Sequence, residues 1–184
     1  MPHDVHRRQR RMLIAALALA AVAPAGAMTV AEAAEARSCA GAKAQISKAS
    51  PSKLRSALLC LVNRKRASEG LGKLKLDRKL QRAAGRHARD MVKHDYFAHQ
   101  RPGGPDLTQR LDRARWRGSH WGETIAYGCG SSSSPKATLK GWLNSPPHRA
   151  ILLSGTYKRG GMGLAAGAPC GGDGAIYVMD VGRK

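Results

Sequence analysis

The sequence predicts a single α+β domain with a small antiparallel sheet. Two observations support this class. Apolar residues recur at helical spacing in the first two thirds of the chain, most clearly from Leu54 to Val62 and from Leu80 to Met91. Short apolar runs without that spacing then follow at 162–165 and 175–181. Helices that come first and strands that come last are typical of α+β domains.

Local signals place the start of each helix. Ser50-Pro51 and Ser134-Pro135 each put a capping serine before a proline, which is favoured at the first helical position. Asp77 and Asp106 are the other two predicted N-caps. The helix that begins at Pro135 should stop at Pro146-Pro147, since proline cannot continue a helix, and we expect a short turn after it.

The predicted sheet is small. The runs 162–165 and 175–181 should form a hairpin connected by 167–174, and the segment 74–76 is a candidate third strand. No helix or strand is predicted for the glycine-punctuated segment 118–130. No internal repeat or second domain is evident.

The first residues are typical of a secretory signal peptide. Four arginines precede a twelve-residue apolar run, Met12 to Ala23, and the small-residue pattern 24–27 follows it. We expect cleavage after Ala27, then a loosely ordered lead-in over 28–50 and one domain over 51–184. An uncleaved anchor is the alternative, but a bilayer span needs about 20 apolar residues. The predicted location is extracellular or at the cell wall, with no transmembrane segment in the mature protein.

The chain is strongly basic, with a net charge of +20. Removing the signal peptide leaves 28 basic and 11 acidic residues, a net charge of +17. Such a charge favours an anionic cell-wall polymer or lipid, although solubility alone is the alternative, because the basic residues are scattered along the sequence. One Phe and four Tyr give no aromatic platform for bases, so a nucleic-acid partner is not expected. We expect a monomer.

Four cysteines in an exported chain favour two disulfides. Sequence alone allows three pairings, of which Cys39–Cys60 and Cys129–Cys170 are preferred. The first would tie the lead-in to the first helix, and the second would close a long loop. No C-x-x-C pair is present, which disfavours a zinc ribbon or a thioredoxin-type site.

Several short motifs in a fixed order resemble the CAP superfamily of cysteine-rich secretory, antigen 5 and pathogenesis-related proteins, and most closely its bacterial secreted members. They are Leu61-Val62-Asn63 with Arg64 and Arg66, Leu74 to Leu80, His87 to Met91, Phe97-Ala98-His99, Gly122 to Gly128, Trp142 to Arg149 and Tyr177 to Gly182. The resemblance covers about 52–182 and implies an α-β-α sandwich, in which helices flank the small antiparallel sheet, with a polar cleft.

The resemblance also implies the residues of that cleft, which the family lines with two histidines and two glutamates. His99, Glu123 and His148 match three of these positions. The second glutamate has no counterpart here, and its helix offers Asn144 and Ser145 instead. His87 lies on the apolar face of its helix, where a histidine is more often structural than a ligand.

Two imidazoles and a carboxylate in one cleft are compatible with three roles. They can hold a divalent metal such as zinc, activate a water, or hydrogen-bond one another as a cleft floor. No G-x-S-x-G or H-E-x-x-H motif supports a hydrolase. We therefore predict an exported protein that binds an extracellular lipid or polyanionic polymer without catalysis, with no obligatory cofactor and a possible zinc ion at His99, Glu123 and His148. A metal-assisted hydrolase is the alternative.

Overall fold

The computed structural model of the chain describes residues 39–168 and 171–184. The predicted signal peptide and the lead-in up to residue 38 lie outside the described residues. The described elements, in chain order, are α1 (Pro51–Ser68), β1 (Lys75–Leu76), α2 (Arg78–Lys93), α3 (Leu107–Arg113), β2 (His120–Cys129), a 3₁₀ turn (Gly130–Ser133), α4 (Pro135–Asn144), α5 (Pro146–Leu152), β3 (Arg159–Ala168) and β4 (Gly171–Arg183).

All four predicted N-caps are confirmed. The side chains of Ser50, Asp77, Asp106 and Ser134 each accept a hydrogen bond from a backbone N–H in the first turn of α1, α2, α3 and α4 respectively. The α3 cap is a full capping box, in which Gln109 also bonds back to the backbone of Asp106.

The two prolines after α4 do more than end that helix. Pro146 and Pro147 occupy the first turn of a further helix, α5, where their missing N–H groups would have no partner in any case. The sequence predicted only a turn here, and that prediction was wrong. The residue that follows the prolines, His148, therefore lies on a helix rather than in a loop.

The sheet has four strands in the order β1-β3-β4-β2 within the described residues. The predicted β3–β4 hairpin is confirmed, with longer strands and a shorter connection than expected. β1 pairs with β3 in parallel, so the sheet is not wholly antiparallel. Strand β2, which runs antiparallel to β4 over its whole length, was missed because Gly122 and Gly128 interrupt its apolar pattern.

Helices cover both faces of this sheet, which confirms the α-β-α sandwich. Alternate residues of β4 point to opposite faces. Tyr177 and Met179 join the core formed with α1, α4 and α5, whereas Ile176 and Val178 pack against α2. The α2 face is therefore the one on which the neighbouring residue Asp180 is buried.

The segment that precedes α1 is attached to the domain. The predicted disulfide Cys39–Cys60 is confirmed. The carbonyl of Ala42 accepts a hydrogen bond from the N–H of Lys136 at 2.8 Å. Cys129 is also disulfide-bonded, but its predicted partner, Cys170, lies outside the described residues, so that pairing stays a prediction.

Candidate functional site

Glu123 is the centre of the candidate site. It lies on β2 opposite Asp180 of β4, and only 5% of its surface is exposed. An ionised carboxylate at such depth is costly unless it is paired and hydrogen-bonded. The surrounding side chains supply both.

Arg110 is the buried partner of Glu123. Its Nη2 donates to Glu123 Oε2 at 2.5 Å, and its Nη1 donates to the carbonyl oxygens of His99 at 2.7 Å and Pro105 at 3.1 Å. The capping box fixes the start of α3, which in turn positions Arg110. One guanidinium therefore neutralises Glu123 and holds the backbone of the loop that carries His99.

His99 completes the contacts of Glu123 on the solvent side. Its Nδ1 lies 2.8 Å from Glu123 Oε1, and 55% of its side chain is exposed. Because an ionised carboxylate only accepts hydrogen bonds, Nδ1 carries the proton and donates it. The second ring nitrogen, Nε2, then has a free lone pair and no hydrogen-bond partner within the described residues.

His148 reaches the same cleft from the first turn of α5. The centres of the His99 and His148 rings are 6.2 Å apart and the ring planes are tilted by 54°. Partial burial lowers the pKa of His148 below its usual range, and the nearby imidazole of His99 lowers it further whenever that ring carries a positive charge. His148 is therefore a neutral ligand or acceptor at neutral pH.

His87 lies behind the cleft, on the α2 side. It is buried, and its Nε2 lies 3.1 Å from the carbonyl oxygen of Ala98. The same nitrogen is 3.9 Å from Glu123 Oε2. Burial lowers the pKa of His87, so a neutral ring donates from Nε2 to Ala98 and holds the loop that precedes His99. This is the structural role that its position on an apolar helix face indicated.

Asp180 is a second buried carboxyl group beside Glu123. Its side chain is fully buried, and neither oxygen accepts a hydrogen bond from a donor within the described residues. Burial and the neighbouring charge of Glu123 raise the pKa of Asp180 well above its usual range. A protonated Asp180 can donate its O–H to Glu123, which removes the repulsion between two carboxylates.

Glu123 itself stays ionised. Burial alone would raise the pKa of its carboxyl group, but the hydrogen bond from His99 and the positive charge of Arg110 outweigh burial and lower it. The pair therefore holds one proton, on Asp180. Sequence reasoning missed both Arg110 and Asp180, although each is a charged residue within an apolar pattern, which was the available signal.

The predicted residues Asn144 and Ser145 lie at the junction of α4 and α5. No side-chain hydrogen bond within the described residues joins either of them to His99, Glu123 or His148. Asn144 instead lines a separate open cavity of about 990 Å³ between α1, α4 and residues 39–43. Its walls include Leu61, Leu139 and Leu143, and its cationic residues are Lys43, Arg64, Lys136 and Lys140.

Comparisons with known proteins agree with this architecture. The model of the cysteine-rich secretory protein family, CAP, matches residues 59–181. The chain belongs to the CAP family. It is 35% identical to the uncharacterized membrane protein YlbC of Bacillus subtilis over 107 aligned residues. The aligned region makes up 58% of this chain and 30% of YlbC. A second B. subtilis protein, YkwD, is 31% identical over 56% of this chain and 39% of its own length. This CAP chain thus spans well under half of either relative.

Solved structures of other proteins share the fold. An extracellular protein of Bacillus anthracis that contains an SCP domain superposes with a TM-score of 0.61 and 29% identity, over 74% of this chain and 44% of that one. An outer surface protein of Borrelia burgdorferi gives a TM-score of 0.60 at 20% identity, over 69% and 90% of the two chains. The first of these neighbours is an extracellular protein and the second an outer surface protein. This chain contains the disulfide Cys39–Cys60, and disulfides persist mainly in oxidising environments.

The donor set of this CAP cleft limits how a metal would bind. Both oxygens of Glu123 are already engaged, by Arg110 and His99. Across the described ranges, no group of three or more His, Cys, Asp or Glu side chains is arranged to hold a metal ion. The nitrogens that remain are Nε2 of His99 and the ring of His148. Glu123 then fits the position of a carboxylate that orients a histidine ligand.

Proposed function

We propose that this CAP domain is an exported binding protein for an anionic extracellular lipid, which it holds without chemical turnover. The observation that carries this proposal is the cavity between α1 and α4. Its volume of about 990 Å³ is at the upper end of the range of ligand pockets, and its lining is predominantly apolar. None of the described helices is both long and apolar enough to cross a bilayer.

The chemistry of the cavity favours a single-chain amphiphile with a negative head group. Leu61, Leu139 and Leu143 offer an apolar surface to an acyl chain. Four cationic side chains, Lys43, Arg64, Lys136 and Lys140, are available to a carboxylate or phosphate head group. None of the four makes a side-chain hydrogen bond or ion pair within the described residues, so their charges are free for a ligand.

The absence of turnover is supported by the state of Glu123. A general base needs a pKa near the working pH and a free oxygen. The pKa of Glu123 is lowered, and Arg110 and His99 occupy both of its oxygens. Such a carboxylate stabilises the cleft and accepts protons poorly, which disfavours the metal-assisted hydrolase.

A fluorescent long-chain fatty acid is a suitable probe for the cavity. We expect saturable binding that weakens about tenfold or more in the double variant Leu61→Gln/Leu143→Gln, because polar groups in the wall remove its apolar contact. Both side chains are only partly buried, so the fold should tolerate the change. His99→Ala serves as the control and should bind the probe as the wild type does. Equal affinity in all three proteins would contradict the proposed site.

Zinc binding by the cleft is a second candidate function, favoured by the facing rings of His99 and His148. Their separation of 6.2 Å leaves room for one ion, whose bonds to imidazole nitrogens are about 2.1 Å long. Glu123 would orient His99 through Nδ1. A bound zinc would supply Lewis acidity, and the two histidines alone would hold it more weakly than a closed four-ligand site.

A further inference from the structure

A third surface of the molecule differs in chemistry from the proposed lipid site between α1 and α4, called the lipid cavity below, and from the cleft of His99, Glu123 and His148. Three adjoining cavities of about 430, 220 and 720 Å³ follow one another along α2, between that helix, α1 and β3. The first two share Arg55, Arg78, Gln81 and Met162, and the last two share Arg89 and Leu164. Because they share these lining residues, they adjoin one another as one open groove, which we call the basic groove.

Cationic side chains line the whole length of the basic groove. They are Arg55, Arg78, Arg82, Arg86, Arg89 and Lys93. The lining includes one acidic residue, Asp90, which is already engaged by Tyr96 at 2.6 Å and by His94 and Arg101. None of the six cationic side chains forms an ion pair or a side-chain hydrogen bond in the described part of the chain. Their charges are therefore uncompensated.

The spacing of these residues along α2 arranges their positive charges in a row. Positions 78, 82, 86, 89 and 93 are separated by three or four residues, which places them on one side of the helix. From the first to the last they extend over about 22 Å, at 1.5 Å per residue. Like charges at this spacing destabilise a helix by a few tenths of a kcal/mol per pair. A bound polyanion would offset that repulsion.

The scattered basic residues of the sequence are thus gathered by the fold. Tight packing of α2 on β3 contributes to this: a Cβ at Gly163 would lie 2.2 Å from the backbone of Ala84, and one at Gly161 would lie 2.0 Å from the backbone of Gln81. Only glycine permits this approach. The helix therefore lies directly on the strand, with its arginines at the exposed rim of the groove.

We propose that the basic groove binds a linear, phosphate-bearing polymer outside the cell. Five of its six cations are arginines, whose planar fork matches the oxygens of a phosphate group and remains charged at all physiological pH values. A chain with one negative charge per repeat can follow a row of cations about 22 Å long. A flat membrane surface fits less well, because Leu76 is the one large apolar side chain of this lining that is exposed.

This inference goes beyond the lipid cavity and does not depend on it. Its test uses a labelled linear polyphosphate as probe and the variant Arg82→Gln/Arg86→Gln/Arg89→Gln. These side chains are exposed, and glutamine has a helix propensity close to that of arginine, so folding should be preserved. We expect about tenfold weaker binding at 0.1 M salt. The slope of log affinity against log salt should be flatter by about 2, since each lost phosphate contact removes about 0.7.

The matched control is Lys43→Gln/Lys136→Gln/Lys140→Gln, which removes the same charge from the exposed rim of the lipid cavity. It should keep polyphosphate affinity within about threefold while losing fatty-acid affinity, and the groove variant should do the reverse. Equal loss of polyphosphate binding in both variants would overturn the groove in favour of net charge. Binding no tighter than that of inorganic phosphate, or groove-dependent binding only to anionic vesicles, would also overturn it.

Discussion

At the scale of single residues, the cleft depends on where one proton and one guanidinium are placed. Two buried carboxyl groups, Glu123 and Asp180, lie opposite each other on neighbouring strands. Arg110 contacts Glu123, so Glu123 is the one that ionises, and the proton remains on Asp180. This division predicts how each residue responds to substitution and to pH.

Replacing Arg110 should leave the Glu123 charge buried without its counterion. We expect Arg110→Gln to lower the free energy of unfolding at pH 7 by about 3 kcal/mol, which is the usual cost of breaking a buried pair. Arg113→Gln on the same helix removes an exposed charge and should change it by less than about 0.5 kcal/mol. Urea denaturation of the three proteins measures both values. A loss no larger in Arg110→Gln than in the control would mean that the ion pair does not hold the cleft.

Asp180 should make stability fall as the pH rises. Its pKa is raised in the folded state, so between the unfolded value of about 3.9 and the folded value the native state holds a proton that the unfolded chain has released. Folding is then progressively disfavoured across that window. Asp180→Asn should remove this part of the pH dependence and unfold at higher denaturant than the wild type at pH 8. Parallel stability-against-pH curves for the two proteins would show that Asp180 is not protonated.

The zinc prediction rests on His99 and His148. Calorimetric titration should detect binding in the wild type and none in His99→Ala or His148→Ala. His87→Ala should lose stability, because His87 holds the Ala98 carbonyl behind the cleft. It should keep zinc binding, because His87 is not one of the two proposed ligands. Binding should weaken as the pH falls through the pKa of His148, which lies below its usual range. Equal binding by all four proteins would place the metal elsewhere.

At the scale of elements, the packing of α2 on β3 depends on glycines. A Cβ at Gly163 would lie 2.2 Å from the Ala84 backbone, so Gly163→Ala should separate helix and strand and cost about 1–3 kcal/mol. Gly141 on α4 has open space around its Cβ position, and Gly141→Ala should stabilise the protein by up to about 1 kcal/mol. Thermal unfolding should therefore give a lower melting temperature for Gly163→Ala, and a higher one for Gly141→Ala, than for the wild type. A neutral Gly163→Ala would contradict the close approach.

The elements also show which features could be read from the sequence. The caps at Ser50, Asp77, Asp106 and Ser134 were predictable because each involves residues within one turn of chain. Strand β2 was not, since Gly122 and Gly128 interrupt its apolar pattern. The need for glycine at 128 appears only in the folded structure, where a Cβ would lie 2.1 Å from the backbone carbonyl oxygen of Ser132. His99 and Glu123 were found through motifs, whereas their contact with Arg110 arises only when α3 is folded against β2.

At the scale of the whole molecule, the fold presents three surfaces that differ in chemistry. The cleft of His99, Glu123 and His148 lies beside α3 and α5, the lipid cavity lies between α1 and α4, and the basic groove follows α2 and β3. The high positive charge was evident from composition, but its division between the rim of the cavity and the groove required the fold. The two proposals together describe a protein that holds a lipid while it is attached to an anionic polymer.

The most direct test of the account is the titration of a fluorescent long-chain fatty acid into the wild type and Leu61→Gln/Leu143→Gln. The account predicts saturable binding by the wild type and about tenfold or greater loss in the double variant, with unchanged circular dichroism and an unaffected His99→Ala control. Wild-type binding that is absent, or that the double variant retains in full, would contradict the claim that the cavity between α1 and α4 is a lipid site.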